Sequence, residues 1–167
     1  MNKIVFLIAG MLIFSACGKK TKQTVTLDIT FNSEGPFFES SPESLQHQLT
    51  DELSAFMKEH HATEANINAV NLTSATFSTS DSAGFSDFGS ITLNMMAGGD
   101  SKAKEIAVQN PLPKENNFTA QPAGKADLAE HFKSKEKFLV CDLTPKINRE
   151  KPFEMKAKLT FEFTFKD

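Results

Sequence analysis

The chain has 167 residues, a formal net charge of −3 and 16 phenylalanines, but neither tryptophan nor tyrosine. This length suits a single domain that buries its own core. The acidic balance excludes a general nucleic-acid binder, because such a protein needs a basic surface. Two cysteines are too few for a disulfide-rich scaffold. A chain with many phenylalanines, and without the polar ring groups of tyrosine and tryptophan, is expected to have a large apolar core.

Residues 1–16 have the layout of an export signal. Lys3 gives a basic start, residues 4–14 form an almost unbroken apolar run, and Ser15 and Ala16 are small. The apolar run falls well short of the ~20 residues that a membrane-spanning helix needs. We therefore expect residues 1–16 to be a lipoprotein signal peptide that is removed from the mature protein.

The tetrapeptide Phe14-Ser15-Ala16-Cys17 resembles the lipobox of bacterial lipoproteins. The resemblance implies that Cys17 is the first mature residue and carries fatty acyl chains such as palmitate, which hold a protein at a membrane. Gly18, where an aspartate would signal retention, resembles the sorting pattern for the outer membrane. Residues 17–22 then form a lysine-rich, lipidated tether. We expect a lipid anchor in the outer membrane on its periplasmic face, with the cell surface as the alternative.

Residues 23–167 are expected to form one domain that begins with a strand and continues with a helix. Apolar and polar residues alternate over 24–31, as in a strand with one face on a core. Ser41-Pro42 resembles a helix start, and the leucines that follow are spaced by four residues. We expect an amphipathic helix over about 42–60.

The middle of the chain is predicted to consist of short strands separated by turns. A glycine-rich segment around Gly98 and a proline-containing segment predict breaks, including a long loop over 110–124. A short helix is expected at about 126–133. Alternating apolar residues predict four strands, at 66–79, 88–96, 104–109 and 136–143.

Residues 153–165 alternate between apolar and polar side chains without an error. A helix would scatter these phenylalanines around its circumference, so the pattern predicts a long strand with one buried face. We expect this strand and the strand at 24–31 to be neighbours in one sheet. The fold class is therefore mainly β, an antiparallel β-sandwich or jelly roll with one amphipathic helix and one short helix.

No pattern predicts a catalytic residue, a metal site or a bound cofactor. His60 and Glu64 are spaced by one helical turn, but two ligands do not make a zinc site. The segment Gly84-Phe85-Ser86-Asp87-Phe88 departs from the serine-nucleophile pattern, because a phenylalanine replaces the second glycine. Cys141 is expected to be a small core residue.

Four segments carry a wider resemblance: Ile67-Asn68-Ala69-Val70-Asn71-Leu72, Phe85-Ser86-Asp87-Phe88, Glu105-Ile106-Ala107 and Ala126-Asp127-Leu128-Ala129-Glu130-His131-Phe132-Lys133. With the order of the predicted elements, they make the chain similar to uncharacterised β-rich lipoproteins of Bacteroidota-type bacteria. That resemblance implies no activity. Asp81-Ser82-Ala83 is similar to the O-glycosylation tripeptide of such bacteria, which implies Ser82 as a sugar acceptor.

Two functions follow as expectations from the predicted anchor and fold. The first is a non-enzymatic interaction or structural module of the cell envelope, bound to the membrane and to envelope proteins. The second is a carrier or binder of a small apolar ligand such as a lipid. The phenylalanine content leaves both open, because the interior is either a solid core or a cavity that accepts an acyl chain.

Overall fold

The computed structural model describes residues 20–49, 51–98, 103–124 and 126–166. The export signal and Cys17 lie outside these residues, so the anchor stays a prediction. In the part of the chain that is described, no helix is long and apolar enough to cross a membrane. The elements of the described residues are β1 Lys20–Ser33, β2 Glu43–Gln48, α1 Asp51–Glu59, a 3-10 helix Glu64–Asn66, β3 Ile67–Ser78, β4 Phe88–Ala97, β5 Lys104–Gln109, β6 Asn117–Pro122, α2 Ala129–Lys133, β7 Lys137–Pro145 and β8 Phe153–Lys166.

The eight strands form one antiparallel sheet in the order β1-β8-β3-β6-β5-β4-β7-β2, which curls around a common core. Its two four-stranded halves, β1-β8-β3-β6 and β5-β4-β7-β2, are the two packed sheets of a sandwich. A short pairing of Ala107 with Pro122 and of Val108 with Gln121 joins β5 to β6 at one edge. Two packed sheets of four strands each, drawn from both halves of the chain, make a jelly roll. The predicted fold class is confirmed, and the pairing decides in favour of its jelly-roll form.

The first and last strands are neighbours along their whole length, as their shared alternation predicts. The register places Leu27 opposite Leu159 on the buried face. The next pair along, Asp28 and Lys158, lies on the exposed face with its charged groups 3.8 Å apart. Because the side-chain period of a strand is two, a shift of one residue would reverse both faces.

The helix predicted at 42–60 is wrong over its first half. Residues 43–48 form β2, which pairs with β7, and α1 begins only at Asp51. Leu45 and Leu49 are buried and His47 between them is half-buried, so the segment follows period two. Leucines four residues apart lie on the same face of both a helix and a strand. Without β2 the edge of β7 would be unpaired, so this segment forms a strand that hydrogen-bonds to that edge.

Three further boundaries differ from the sequence-based expectation. β1 begins at Lys20 rather than at 24, so residues 20–22 of the expected tether belong to the strand. The loop expected over 110–124 contains β6, whose Ala120 is buried against β3. The second helix covers 129–133 rather than 126–133. Asp127 explains the shorter helix, because its carboxylate accepts the N–H groups of Val70 and Ala129 at 3.1 and 3.0 Å. That arrangement ties the preceding residues to β3 instead of to the helix.

Most of the largest fully buried side chains between the sheets are phenylalanines. Among the described residues Phe38 is the one exposed phenylalanine, at 60% of its accessible surface. Cys141 is fully buried in β7, which confirms it as a core residue. Burial, helped by the charge of Asp142, raises the pKa of the Cys141 thiol, so that the thiol stays protonated and unreactive.

Candidate functional site

A cavity of about 380 Å³ opens beside α1. Its apolar lining comes from α1, α2, β3 and β8 and includes Leu53, Met57, Ile67, Phe132 and Phe163. The phenylalanine content is compatible with either a solid core or an apolar cavity. The structure combines them, because the sheets enclose a packed core and the cavity lies at its margin.

The cavity exists because two helices rest on the same phenylalanine of β8. The ring of Phe56 in α1 lies 5.2 Å from that of Phe163, and the ring of Phe132 in α2 lies 5.1 Å from it. Each helix contacts Phe163 with its own phenylalanine, and the cavity is the space that remains between α1 and α2. Ala62, which follows α1, has a small side chain in this space.

The lining of the cavity also contains charged residues and two hydroxyl residues, Ser54 and Thr63. Lys137 is buried, and its ammonium donates a hydrogen bond of 2.7 Å to the carboxylate of Glu64. It also donates to the backbone oxygen of Ser134. Lys58 lies at the exposed side of the lining. A site with an apolar interior and few polar groups is typical of small-molecule pockets.

His60 and Glu64 have the spacing of one helical turn. The structure does not place them together as ligands of a metal ion. α1 ends at Glu59, the ring of His60 packs 4.8 Å from that of Phe56, and Glu64 is bonded to Lys137. Within the described ranges, no group of three or more histidine, cysteine or acidic side chains is arranged to hold a metal ion.

The opposite end of the sandwich is formed by four loops, residues 34–42, 79–87, 110–116 and 146–152, which we call the loop end. The other end, with Lys20, Asn66 and Lys166, is the α1 end, because α1 lies beside it. β1 runs from one end to the other, and its 14 residues span about 45 Å at 3.3 Å per residue.

Arg149, the one arginine of the sequence, holds the loop end together. Its guanidinium is buried and donates to the carboxylates of Asp87, at 2.8 Å, and Asp81. It also donates to the backbone oxygens of Lys151 and Pro152 at 3.2 and 3.0 Å. The sequence carries no sign of this cluster except the rarity of arginine, because the acids lie more than 60 positions away.

The hydrogen bonds and charges of the cluster favour the ionised forms of Asp81 and Arg149. Burial acts to raise the pKa of Asp81, but hydrogen bonds from Arg149 and from the N–H of Ala83, with the charges of Arg149 and Lys151, outweigh it. The pKa of Asp81 is therefore below its ordinary value. Burial likewise acts to lower the pKa of Arg149, and its bonds to Asp81 and Asp87 reverse the direction.

Ser82 lies exposed in the turn that these carboxylates organise. The carboxylate of Asp81 accepts the N–H of Ala83 at 2.8 Å, which closes a turn with Ser82 at its tip. The hydroxyl of Ser82 is thus accessible, and its glycosylation stays a prediction.

Two large apolar side chains are exposed at the loop end. Phe38 is 60% exposed and Ile147 is 50% exposed. They lie on adjacent segments, because Phe37 and Arg149 form an antiparallel bridge with N–H to oxygen distances of 2.7 and 2.9 Å. The buried ring of Phe37 packs 5.4 Å from that of Phe88, so the segment that carries Phe38 is fastened to the core.

The fold and these two ends define the class of the chain as an eight-stranded jelly-roll domain with an apolar side cavity. No protein-family model matches the chain, and no curated protein matches it. A decameric BFDV capsid protein is similar at 12% identity and a TM-score of 0.39, covering 89% of this chain and 100% of its own. A Desmodium yellow mottle tymovirus structure has 8% identity and a TM-score of 0.32, covering 100% and 96%. A turnip yellow mosaic virus structure has 10% identity and a TM-score of 0.29, covering 87% and 96%. At these TM-scores the likeness carries no conclusion about activity or assembly.

Proposed function

We propose that the protein is a lipid-anchored, non-enzymatic interaction module of the bacterial envelope. In this proposal Cys17 carries the anchor in the outer membrane, and the domain faces the periplasm. The loop end contacts an envelope protein. The observation that carries the proposal is the exposed pair Phe38 and Ile147 at the end of the sandwich away from the start of β1.

The position of the two ends supports this arrangement. Lys20 begins β1 at the α1 end, opposite Lys166. An anchor at Cys17 lies three residues before Lys20, which limits its reach to about 10 Å. Phe38 follows the end of β1, so the apolar pair stands about 40 Å from the anchored end. An anchored molecule would therefore present Phe38 and Ile147 to partners beyond the membrane surface.

The rigidity of the loop end also supports binding. Arg149 ties the loop that carries Ile147 to Asp81 and Asp87, and Phe37 fastens the loop that carries Phe38 to the core. A preformed surface loses less conformational entropy on association than a flexible one. Aromatic side chains are frequent energetic anchors of interfaces.

The anchor is tested by intact-mass measurement of the protein purified from its own host. We expect a mature chain that starts at Cys17 and carries the mass of acyl chains. A Cys17→Ser variant should lose the acyl mass and its flotation with membranes. A wild-type chain with an unmodified cysteine would contradict the proposal. The same spectra test Ser82, because a glycan mass should be present in the wild type and absent in Ser82→Ala.

The loop-end contact is tested by a photo-crosslinking amino acid at position 38 in the full chain within living cells. We expect one stoichiometric protein adduct at position 38. The matched control is the same amino acid at Thr24, an exposed position on β1, which should give no such adduct. Ile147→Ser should weaken the adduct at position 38. Equal adducts at both positions, or none at position 38, would contradict the proposal.

A second function, carriage of a small apolar ligand, is favoured by one observation. The cavity beside α1 measures about 380 Å³ and has an apolar lining, within the range of small-molecule sites. It lies at the α1 end, whereas the proposed protein contact lies at the loop end. The two functions therefore use separate surfaces and can be tested separately.

A further inference from the structure

We infer that the cavity beside α1 binds one single-chain fatty acid, with its aliphatic chain between α1 and α2 and its carboxylate beside Lys58 and Lys137. This inference rests on the second proposed function and names its ligand class. It is carried by the shape of the lining, by the charges in it and by its place in the fold.

The shape of the lining suits an aliphatic chain. Leu53 and Met57 form the α1 wall, and Phe132 and Phe163 form the floor. Leu53, Phe132 and Phe163 belong to the core, so a chain in the cavity would extend the packed interior. Each buried methylene contributes favourably, so a long unbranched chain gains more than a compact polar molecule.

The charges in the lining suit a carboxylate. Lys58 and Lys137 provide two positive charges, and Glu64 provides one negative charge, so one further anion is balanced. Lys58 is the one lysine or arginine between positions 23 and 100, a segment rich in acids. The described residues accept two of the three N–H bonds that the ammonium of Lys137 can donate. In this inference the carboxylate of the fatty acid accepts the third.

The place of the cavity suits exchange with a membrane. Ile67, which lines the cavity, is opposite Phe165 in β8, and Phe165 is opposite Thr21 in β1. Two strand spacings separate Ile67 from Thr21, about 10 Å. The cavity is thus at the end of the domain that the proposed anchor holds against lipid. An acyl chain on Cys17 has no free carboxylate, so the charges favour a free fatty acid over the protein's own anchor.

The test uses the native full-length protein, purified from its host and reconstituted into vesicles of phosphatidylethanolamine and phosphatidylglycerol. The probe is palmitic acid that carries a photoactivatable diazirine. We expect crosslinks in the peptides that contain Leu53 to Lys58 and Phe132. Ala62→Phe, which fills the cavity, should abolish them. The matched control Ala55→Phe places the same ring on an exposed position of α1 and should leave them unchanged.

A second comparison tests the head group and does not depend on the cavity-filling variant folding. Lys58→Gln should reduce labelling by the acid about fivefold and leave labelling by the corresponding alcohol probe unchanged. The control Lys156→Gln removes an exposed lysine of β8 and should change neither.

Three results would overturn the inference. The first is labelling that Ala62→Phe does not affect in a protein that still unfolds cooperatively. The second is equal labelling by acid and alcohol with no effect of Lys58→Gln. The third is labelling that appears only in Cys17→Ser, which would show that the protein's own acyl chain fills the cavity. The envelope contact is judged by adducts at Phe38, so its failure and the failure of this inference are distinguishable.

Discussion

The guanidinium of Arg149 lies beneath the loops of the loop end and makes four hydrogen bonds there. Two go to carboxylates and two go to backbone oxygens. A guanidinium has five N–H donors in a planar fork, so nearly all of its capacity is used inside the protein. Its role is therefore to hold Asp81, Asp87 and the segment around Pro152 together rather than to bind an anion.

Replacing this arginine should destabilise the fold. Arg149→Met leaves Asp81 and Asp87, each about one-fifth exposed, without their cation. Breaking a buried ion pair on one side costs about 3–5 kcal/mol, so we expect a loss of about 3 kcal/mol in the free energy of unfolding, measured with urea. The control Lys146→Met removes an exposed charge from the same loop and should cost less than about 0.5 kcal/mol. Equal effects of the two substitutions would contradict the role assigned to Arg149.

The same cluster predicts a loss of stability in acid. The pKa of Asp81 is lower in the folded protein than its ordinary value of 3.8. Its ionised form therefore adds stability above roughly pH 4, and this contribution disappears as the pH falls through the folded pKa. Urea unfolding of the wild type and of Asp81→Asn between neutral pH and pH 2 checks this. The two free energies of unfolding should converge below about pH 4; parallel curves over the whole range would count against it.

At the scale of elements, the turn before β4 depends on a glycine that no other residue replaces cheaply. Gly84 has a φ of +57°, and a Cβ atom there would lie 2.4 Å from the backbone oxygen of Lys114. Gly124 also has a positive φ, of +65°, but a Cβ atom there would meet nothing within 4 Å. At both positions the positive φ disfavours a residue with a Cβ atom. Only at Gly84 would that Cβ atom also collide with the backbone.

We therefore expect Gly84→Ala to cost more than Gly124→Ala. The φ penalty alone is about 1 kcal/mol at Gly124, whereas the collision at Gly84 should raise the loss to about 3 kcal/mol or more. Chemical denaturation of both variants against the wild type measures the difference. A loss at Gly84 no larger than the loss at Gly124 would show that the turn yields without cost.

The segment 43–59 shows why the spacing of apolar residues alone predicts a helix where the structure has the strand β2. Leu45 and Leu49 have a spacing that a helix and a strand share, and nothing in nearby residues separates the two. The edge of β7 separates them, because β2 completes the second sheet there. Leu53 and Phe56 do follow a helical spacing, and there the predicted helix is observed.

At the scale of the molecule, the role of a phenylalanine depends on its position. Most of the described phenylalanines stabilise the core, whereas Phe38 belongs to the proposed contact surface. Phe161 is fully buried in β8, with its ring 5.2 Å from that of Phe132. Phe38 is exposed at the loop end. The same residue type therefore belongs to the core in one place and to the proposed binding surface in the other.

This division predicts opposite outcomes for one substitution. Phe161→Ala should lower the free energy of unfolding by about 3–5 kcal/mol, because it opens a cavity in the core. Phe38→Ala should change it by less than about 0.5 kcal/mol and should instead weaken the proposed envelope contact. Urea unfolding of both variants provides the measurement. A large loss from Phe38→Ala would mean that its ring supports the fold.

The amino-acid sequence by itself determined the two long strands, because the alternation over residues 24–31 and 153–165 is a local property of consecutive residues. It also predicted the core role of Cys141, since small apolar positions in a strand are buried together. The anchor at Cys17 is likewise a prediction from a local motif. These inferences need no knowledge of which distant segments meet.

Only the tertiary structure decided which distant residues share a site. It brought Asp81 and Asp87 to Arg149 across 68 and 62 positions, and Glu64 to Lys137 across 73. It also turned residues 43–48 into a strand and left a cavity beside α1. The physical reason is that such contacts depend on how two sheets close over one core, and the energy of that closure comes from the whole chain rather than from any segment's period.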